Sequence, residues 1–229
     1  MINRTQARNL MSEVTILLPT YNEEKSIAKV LDEIPASCKI LMGDGISTDR
    51  TRHIARSKGV EPIKIYAKGK GSAIRELIKY VDTPYTIMVN ADFTYPLSYS
   101  HTIYHLLSKS GADVVIGYRH VKEKDSMSFT NSLGNWLLSL SASVLYEKRV
   151  YDVCTGMWGF KTEVLKRFSL TSTHFTLEAD LFVNSVRSKC RIEQIPVAYR
   201  ARLEGSKAKL KVLDGFRIGW FLLRRRFKC

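Results

Sequence analysis

The stretch VTILLPTYNEEKSIAKVLDEI, residues 14–34, decides the fold class. Its first part, residues 14–19, is short and apolar and ends at a proline, which predicts a buried strand. Its second part, residues 23–34, repeats apolar side chains at i, i+3, i+4 and i+7 from Ile27, which predicts an amphipathic helix. A buried strand followed closely by such a helix is the repeating unit of an α/β sheet.

The same alternation continues through the first half of the chain. Strands are predicted at 39–44, 62–67, 85–91 and 113–118, and helices at 47–59, 70–81 and 97–109. Because the connections are short, the pattern predicts an α/β fold, with a Rossmann-like, three-layer arrangement around a mostly parallel sheet. The later sequence predicts a polar loop at 120–132, an amphipathic helix at 133–146 and, at 191–202, a late strand that leads into a basic loop.

The chain divides by its pattern into an N-terminal tail (1–12), one α/β domain (13–206) and a basic amphipathic C-terminal helix (207–229). The apolar stripe of that helix consists of Leu213, Phe216, Trp220, Leu223 and Phe227. Such a helix either packs on the core with a charged outer face or lies in the plane of an anionic membrane surface, and we favour the membrane. The same two alternatives hold for helix 133–146, whose apolar face is Leu133, Leu137, Leu140 and Val144.

The composition narrows the class of partner. Lys and Arg number 36 against 22 Asp and Glu, a net charge of +14, which favours an anionic partner. No aromatic and basic nucleic-acid motif accompanies this charge, so we expect no nucleic-acid partner. Residues 1–12 have no apolar core of a secretory signal, and no window is long and apolar enough to span a bilayer. Four scattered cysteines are typical of reduced thiols in a cytosolic protein.

The loops that follow the predicted strands hold the chain's unusual polar residues. They read PTYNE (19–23), GDGISTD (43–49), KGKG (68–71) and NADFTYP (90–96). In open α/β sheets, ligands bind outside the carboxyl ends of the strands. The four loops therefore locate a candidate ligand site on one edge of the sheet.

Each loop also has a purely structural interpretation. Asp92, with Asn90, can bind a hard divalent cation through oxygen, or it can close an Asx turn before Pro96. Asp44 can accept hydrogen bonds from a base or ribose, or it can belong to a tight turn. The KGKG loop can offer N–H groups and an ammonium to phosphate, or it can be a solvated turn. The residues alone leave these alternatives open.

Four later segments complete an ordered set of motifs: IGYR (116–119), DVCTGMWGFK (152–161), FTLEADLF (175–182) and RARLEGSK (200–207). As a set, the eight segments resemble the family 2 glycosyltransferases with the GT-A fold. More narrowly, they resemble the branch that uses polyprenyl phosphate or dolichyl phosphate. The resemblance covers roughly residues 14–210.

The resemblance implies a role for each matching residue. Pro19, Tyr21, Glu23, Asp44, Lys70 and Ala91 would bind the nucleotide of the donor; Asp92 and Asn90 would hold Mg²⁺ or Mn²⁺; and Asp92, Arg119, Glu178, Arg202 and Lys207 would form the catalytic set. The chain departs from the family pattern at Asn90, where the first Asp of a DAD motif is usual, and at Gly45, where many relatives carry a second Asp. Because an amide oxygen binds Mg²⁺ more weakly than a carboxylate, we expect looser metal binding.

The resemblance implies an inverting, metal-assisted transfer of a sugar from a nucleotide sugar, with a UDP-sugar favoured, to a polyprenyl phosphate. A lipid acceptor implies a peripheral protein on the cytoplasmic face of the cell membrane. The main alternative keeps the fold but transfers the sugar to a glycan hydroxyl. A non-catalytic nucleotide- or nucleic-acid-binding protein is a remote alternative.

Overall fold

A computed structural model describes residues 11–206 and 212–227. Within these ranges, the strands are β1 Val14–Thr20, β2 Lys39–Asp44, β3 Ile63–Lys64, β4 Tyr85–Met88, β5 Val114–Lys122, β6 Met157–Lys161 and β7 Ile192–Tyr199. The α-helices are α1 Ile27–Glu33, α2 Thr51–Ser57, α3 Lys70–Leu77, α4 Ser100–Lys109, α5 Phe129–Tyr146, α6 Thr162–Lys166, α7 Leu177–Arg187 and α8 Val212–Phe227. Short 3₁₀ turns precede β1, follow α3 and precede α4.

The strands form one sheet in the order β3-β2-β1-β4-β6-β5-β7. Strand β6 runs antiparallel to β4 and β5, and the other pairings are parallel. Side chains of a strand alternate between the faces of a sheet, and both faces here are buried. In β1, Leu17 belongs to one apolar core, and Ile16 and Leu18 belong to the other. The predicted three-layer, mostly parallel α/β sheet is confirmed.

The first helices begin later than their apolar periodicity predicts. Helix α1 begins at Ile27 rather than at residue 23, and α2 begins at Thr51 rather than at residue 47. The residues before both helices are instead engaged in hydrogen bonds between loops, such as the bond from the Glu24 amide to the Asp49 carboxylate, 3.2 Å. These polar residues therefore build the carboxyl edge of the sheet, not the helices.

The loop predicted at 120–132 is wrong at both ends. Strand β5 continues to Lys122 because it pairs with β7 as far as Tyr199. Helix α5 begins at Phe129, since the Ser128 side chain caps it by accepting a hydrogen bond from the Asn131 amide, 3.3 Å.

Strand β6 was not predicted, although it lies between β4 and β5. Its segment, MWGFK, follows α5 and enters the sheet antiparallel to both of its neighbours, unlike the other strands. Gly159 is required there because a Cβ atom would lie 2.1 Å from Ile103 of α4. Trp158, beside it, is fully buried.

Helices α5 and α8 expose the apolar faces that the sequence predicts. On α5, Leu137 is 49% exposed and Val144 69%; on α8, Phe216 is 74% exposed and Trp220 65%. The alternative in which these two apolar faces pack on the core is therefore wrong, although other side chains of α8, such as Ile218, are buried. In the part of the chain that the structure describes, no helix combines the length and the apolar character needed to cross a membrane.

Candidate active site

Three loops meet at the carboxyl edge of the sheet because β1 pairs in parallel with β2 on one side and β4 on the other. Each loop contains one residue other than glycine with a positive φ: Asn22 at 48°, Ile46 at 60° and Phe93 at 66°. This left-handed conformation is unfavourable, most of all for a β-branched isoleucine. Such strain persists only where the surroundings enforce it, and it concentrates at functional sites.

Side-chain hydrogen bonds enforce this loop geometry. The Asn22 amide donates to the Ser47 hydroxyl, and the Thr48 amide donates to the Asn22 side chain, both at 2.9 Å. On the other side, the Ser26 hydroxyl donates to the Ala91 carbonyl, 2.8 Å. The loops after β1, β2 and β4 therefore form one connected platform.

A cavity of about 1800 Å³ opens above this platform. Typical small-molecule pockets have volumes of roughly 300–1,000 Å³, so this cavity has room for more than one ligand. Of the residues predicted for the site, Pro19, Tyr21, Glu23, Lys70, Asn90, Ala91, Asp92, Arg119, Glu178 and Arg202 line it. Lys207 lies outside the described residues. The structure thus brings together residues from six separate sequence motifs.

Asp44 differs from the other predicted residues in its position. Its carboxylate is fully buried and accepts hydrogen bonds from the Ser47 amide, 2.9 Å, and the Ser47 hydroxyl, 2.5 Å. Arg52 lies 3.6 Å from it. The next residues, Gly45 and Ile46, line the cavity instead. The tight-turn interpretation of Asp44 therefore describes its position, and direct contact with a nucleotide stays a prediction.

Asp92 combines the two interpretations that its sequence allowed. Its Oδ1 accepts hydrogen bonds from the Thr94 amide, 3.2 Å, and the Thr94 hydroxyl, 2.6 Å, which is an Asx turn. Its Oδ2 lies 2.5 Å from the guanidinium of Arg202 at the cavity wall. Burial opposes the charge of Arg202, but the Asp92 carboxylate outweighs burial and raises the pKa of the arginine. The structural turn thus holds a carboxylate toward the cavity.

Lys70, Asn90 and Glu178 form a partly buried polar cluster in the cavity wall. The Lys70 ammonium donates to the Asn90 side-chain oxygen, 2.6 Å, and pairs with the Glu178 carboxylate. Gly156 packs on this cluster, since a Cβ there would lie 2.4 Å from the Asn90 side chain. In this arrangement, the oxygen of Asn90 faces an ammonium, and binding of a metal by Asn90 stays a prediction.

The glycines beside Lys70 are required by a close approach of backbone. Gly69 has a φ of 99°, and a Cβ there would lie 2.2 Å from the Thr173 carbonyl oxygen. A Cβ at Gly71 would lie 2.5 Å from the Ser172 carbonyl oxygen. Asp180, fully buried, fixes that opposite segment by accepting from the Ser172 amide, 2.8 Å. No role was predicted for Asp180, although it belongs to the acidic segment at 175–182.

Arg119 lies on the same cavity and is held by a residue that the sequence analysis missed. Its Nε and Nη2 donate to the two carboxylate oxygens of Asp152 at 2.6 and 2.7 Å. Its guanidinium also lies 5.2 Å from the ring centre of Tyr199. Burial alone would raise the pKa of Asp152, but the charge and hydrogen bonds of Arg119 hold it below its usual value. The only sequence signal for Asp152 was its place at the start of the DVCTGMWGFK segment.

The protein groups that can hold a divalent cation are few. Among the residues that the structure describes, no three His, Cys, Asp or Glu side chains lie together as a metal-binding group. The carboxylate of Asp92 supplies hard oxygen at the cavity.

Comparison with known proteins gives the class of this site. The family model of glycosyl transferase family 2 matches residues 15–168, and the chain belongs to this family. The chain is 30% identical to the glycosyltransferase AglJ of Haloferax volcanii, over 94% of this chain and 72% of that protein. It is 31% identical to a dolichyl-phosphate hexose transferase of the same organism, over 85% of this chain and 86% of that protein.

Solved structures confirm the fold. Glucosyl-3-phosphoglycerate synthase from Mycobacterium tuberculosis, in complex with Mn²⁺, UDP-glucose and phosphoglyceric acid, superposes with a TM-score of 0.76. The match covers 98% of this chain and 84% of that one at 18% identity. The fold is therefore GT-A, and the protein is a glycosyltransferase.

Proposed function

We propose that this glycosyltransferase transfers a sugar, with inversion, from a nucleotide sugar to a polyprenyl phosphate, and that a UDP-sugar is the favoured donor. One observation carries the proposal. A single cavity joins Asp92, Arg119 and Arg202 to side chains of α5 and α8 such as Leu137 and Trp220. A charged donor and an apolar, membrane-borne acceptor each find complementary surface in it.

The donor lies at the carboxyl edge of the sheet in this proposal. Pro19, Tyr21 and Glu23 contact the nucleoside, and Lys70 faces the diphosphate. The platform of hydrogen-bonded loops supports this placement, because a site whose groups are already fixed needs little reorganisation on binding. The neighbour crystallised with UDP-glucose supports the preference for a UDP-sugar.

A divalent cation fits this site through a single protein carboxylate. Asp92 would hold Mg²⁺ or Mn²⁺, and oxygens of the donor diphosphate would supply most of the other ligands. When bound, the cation supplies positive charge to the leaving diphosphate. Solved neighbours contain Mn²⁺ or Mg²⁺ with a uridine nucleotide, which supports this choice of metals.

Arg202 has two partners in this proposal. In the structure it neutralises Asp92, as its 2.5 Å contact with Oδ2 shows. When the donor complex occupies Asp92, the guanidinium turns to phosphate oxygens, for which its planar donors are well suited. Exchange of one anionic partner for another keeps the buried charge compensated throughout.

The acceptor phosphate attacks the anomeric carbon without a dedicated base. Its second pKa is near 6, so the nucleophilic oxygen is mostly deprotonated at neutral pH. The work of the protein is then to position two anions and offset their repulsion. Asp152 takes two of the five N–H donors of Arg119, which leaves donors for a phosphate. Glu178 holds Lys70, and Lys207 completes the proposed catalytic set.

Because the proposed acceptor lies in a membrane, the proposal includes peripheral binding of the protein to the cytoplasmic face of that membrane. Helix α8 exposes Phe216 and Trp220 and carries Arg217, Arg224 and Arg226, all exposed. Basic amphipathic helices with aromatic residues lie in anionic interfaces. Co-sedimentation with anionic vesicles, beside a nucleic-acid mobility-shift assay, tests this: binding to nucleic acid but not to vesicles would contradict it.

A screen of donors against acceptors tests the proposed reaction. UDP-glucose, UDP-N-acetylglucosamine and GDP-mannose are each paired with a polyprenyl phosphate, a glycan and 3-phosphoglycerate, and the sugar product is identified. We expect transfer to the polyprenyl phosphate from a UDP-sugar. Exclusive transfer to a hydroxyl of the glycan or of 3-phosphoglycerate would overturn the proposed acceptor, and a product from GDP-mannose alone would overturn the proposed donor.

A metal titration tests the proposed role of Asn90. The Asn90→Asp variant restores a second carboxylate beside Asp92, so we expect half-maximal activity at a lower Mg²⁺ or Mn²⁺ concentration than in the native chain. Identical metal dependence of the two proteins would contradict a contact between Asn90 and the metal. It would leave the contact with Lys70, 2.6 Å, as the role of this side chain.

A further inference from the structure

Helices α5 and α8 contact each other at one end and leave a groove at the other. Near their C-terminal ends, the Tyr146 hydroxyl donates to the Leu222 carbonyl, 2.9 Å, and both residues are buried. In the middle, a Cβ added to Gly219 would lie 3.6 Å from Leu138. Toward the N-terminal ends, a Cβ added to Gly134 or Gly215 would meet nothing within 4 Å. These three glycines line the cavity that contains the candidate active site.

Packing of the described residues does not require glycine at Gly134 or Gly215. Glycine inside a helix destabilises it by about 0.5–1 kcal/mol relative to alanine, and both positions have space for a side chain and no positive φ. The effect of the glycines is instead on the groove, which they widen where its walls are apolar. Leu137 and Leu138 form the α5 wall, and Phe216 and Trp220 form the α8 wall.

The groove is continuous with the part of the cavity where two guanidinium groups lie. The cavity that contains Leu138 and Gly219 also contains Arg119 and Arg202. Its apolar part matches a hydrocarbon chain, and its guanidinium groups match the phosphate of an anionic head group. This combination of a chain and a phosphate is the chemistry of a lipid phosphate.

We propose that the groove between α5 and α8 binds the isoprenoid chain of the acceptor next to its phosphate, and that Gly134, Gly215 and Gly219 set how well long chains are used. This inference rests on the proposed acceptor class. The occupant is the acceptor itself rather than a bulk phospholipid, because the groove leads to the guanidinium groups and not away from them.

Variants that fill the groove test this. Gly134→Leu and Gly215→Leu are assayed in detergent with a short, water-soluble isoprenyl phosphate and with a long polyprenyl phosphate. We expect the KM for the long acceptor to rise at least tenfold, while kcat/KM for the short acceptor and the affinity for UDP change less than twofold. Equal kinetics for native and filled proteins with the long acceptor would overturn the groove.

Two controls separate the groove from folding. Gly134→Ala and Gly215→Ala add only a methyl group to the groove, so we expect equal or higher thermal stability and a rise in the KM for the long acceptor that is smaller than in the leucine variants. Ser141→Leu places the same side chain at an exposed position of α5 outside the cavity, and we expect no change. Loss of the long acceptor in Ser141→Leu, or of both acceptors in the filled variants, would overturn the assignment.

The outcome is distinct from failure of the proposed function. If the native protein transfers sugar to no polyprenyl phosphate of either length, the acceptor class is wrong. If the native protein uses both lengths and the filled variants do too, the acceptor class stands and the groove is wrong. A competition assay with phospholipid monomers identifies the occupant. Unchanged use of the isoprenyl phosphate would support the acceptor as occupant, and full displacement of the isoprenyl phosphate by phospholipid would contradict it.

Discussion

The two ends of the cavity are built on opposite principles. At the sheet edge, Asp44 and Asp92 are 0% and 5% exposed and hydrogen-bonded to their own turns, and the KGKG loop (68–71) lies against the backbone of Ser172 and Thr173. At the helix pair, Phe216 and Trp220 are mostly exposed, and a Cβ at Gly215 would meet nothing within 4 Å. At the first end, the polar side chains are held by other groups of the protein, whereas the second end leaves apolar surface for a partner to cover.

This difference separates folding from binding. Removal of one partner from a buried pair of charges destabilises a protein strongly. Substitutions at the sheet edge, or at Arg119 and Asp152, will therefore change stability as well as activity. Exposed apolar side chains contribute little to stability, so substitutions on α5 and α8 will change what the protein binds. Four measurements sharpen or break this contrast.

The largest change in stability is expected for Asp152→Ala. It leaves the buried guanidinium of Arg119 without its carboxylate, and breaking such a pair costs about 3–5 kcal/mol in the free energy of unfolding. Urea unfolding measures it. Asp82→Ala is the matched control, because Asp82 pairs with Lys39 at 2.6 Å but is exposed. Equal changes in the two variants would mean that burial of the Arg119 pair contributes nothing.

A comparable effect on rate is expected for Asp92→Asn. The change keeps the shape and the Asx turn but removes the charge that faces the cavity, and loss of one such electrostatic group lowers kcat by about 10²–10³-fold. Steady-state transfer at saturating metal measures it. The free energy of unfolding should also fall, but by less than in Asp152→Ala, because the side chain of Arg202 is 27% exposed and that of Arg119 only 9%. Asp32→Asn, on the surface beside Lys58, is the control. Activity within threefold of native would remove Asp92 from the mechanism.

A smaller effect, on the pH dependence of the free energy of unfolding, is expected from the same pair of Asp152 and Arg119. Because the pKa of Asp152 is lower in the folded than in the unfolded protein, its stabilisation is fully present above the unfolded value, roughly 3.9. It is lost as the pH falls through the folded value. The difference in unfolding free energy between native protein and Asp152→Asn should therefore be constant from neutral pH to about 5 and shrink in stronger acid. A difference that grows in acid would reverse the sign of the proposed interaction.

Features of this molecule that depend on neighbouring residues in the sequence were predicted, and features that depend on distant residues were not. Strands β1 and β2 and the site loops were predictable because a short apolar run and the polar residues after it are local signals. The contact of Lys70 with Glu178 joins residues 108 positions apart, so no spacing indicates it. Strand β6 was missed because Gly159 interrupts its short apolar run, MWGFK, and glycine is depleted in strands. The face of α5 was predicted, but its exposure was left open, since an apolar periodicity does not say what covers it.

The smallest change in stability is expected on the exposed helix face. Trp220→Ala removes an indole that is 65% exposed, and surface substitutions of this kind change the free energy of unfolding by no more than about 0.5 kcal/mol. Binding to anionic vesicles should nevertheless fall severalfold, because aromatic side chains anchor an amphipathic helix in the interface. Tyr80→Ala, at a position 50% exposed and outside the cavity, is the matched control for loss of an exposed ring. If Trp220→Ala destabilised the protein as much as Asp152→Ala and left vesicle binding unchanged, the helix face would belong to the folded core rather than to a binding surface, and the contrast between the two ends of the cavity would disappear.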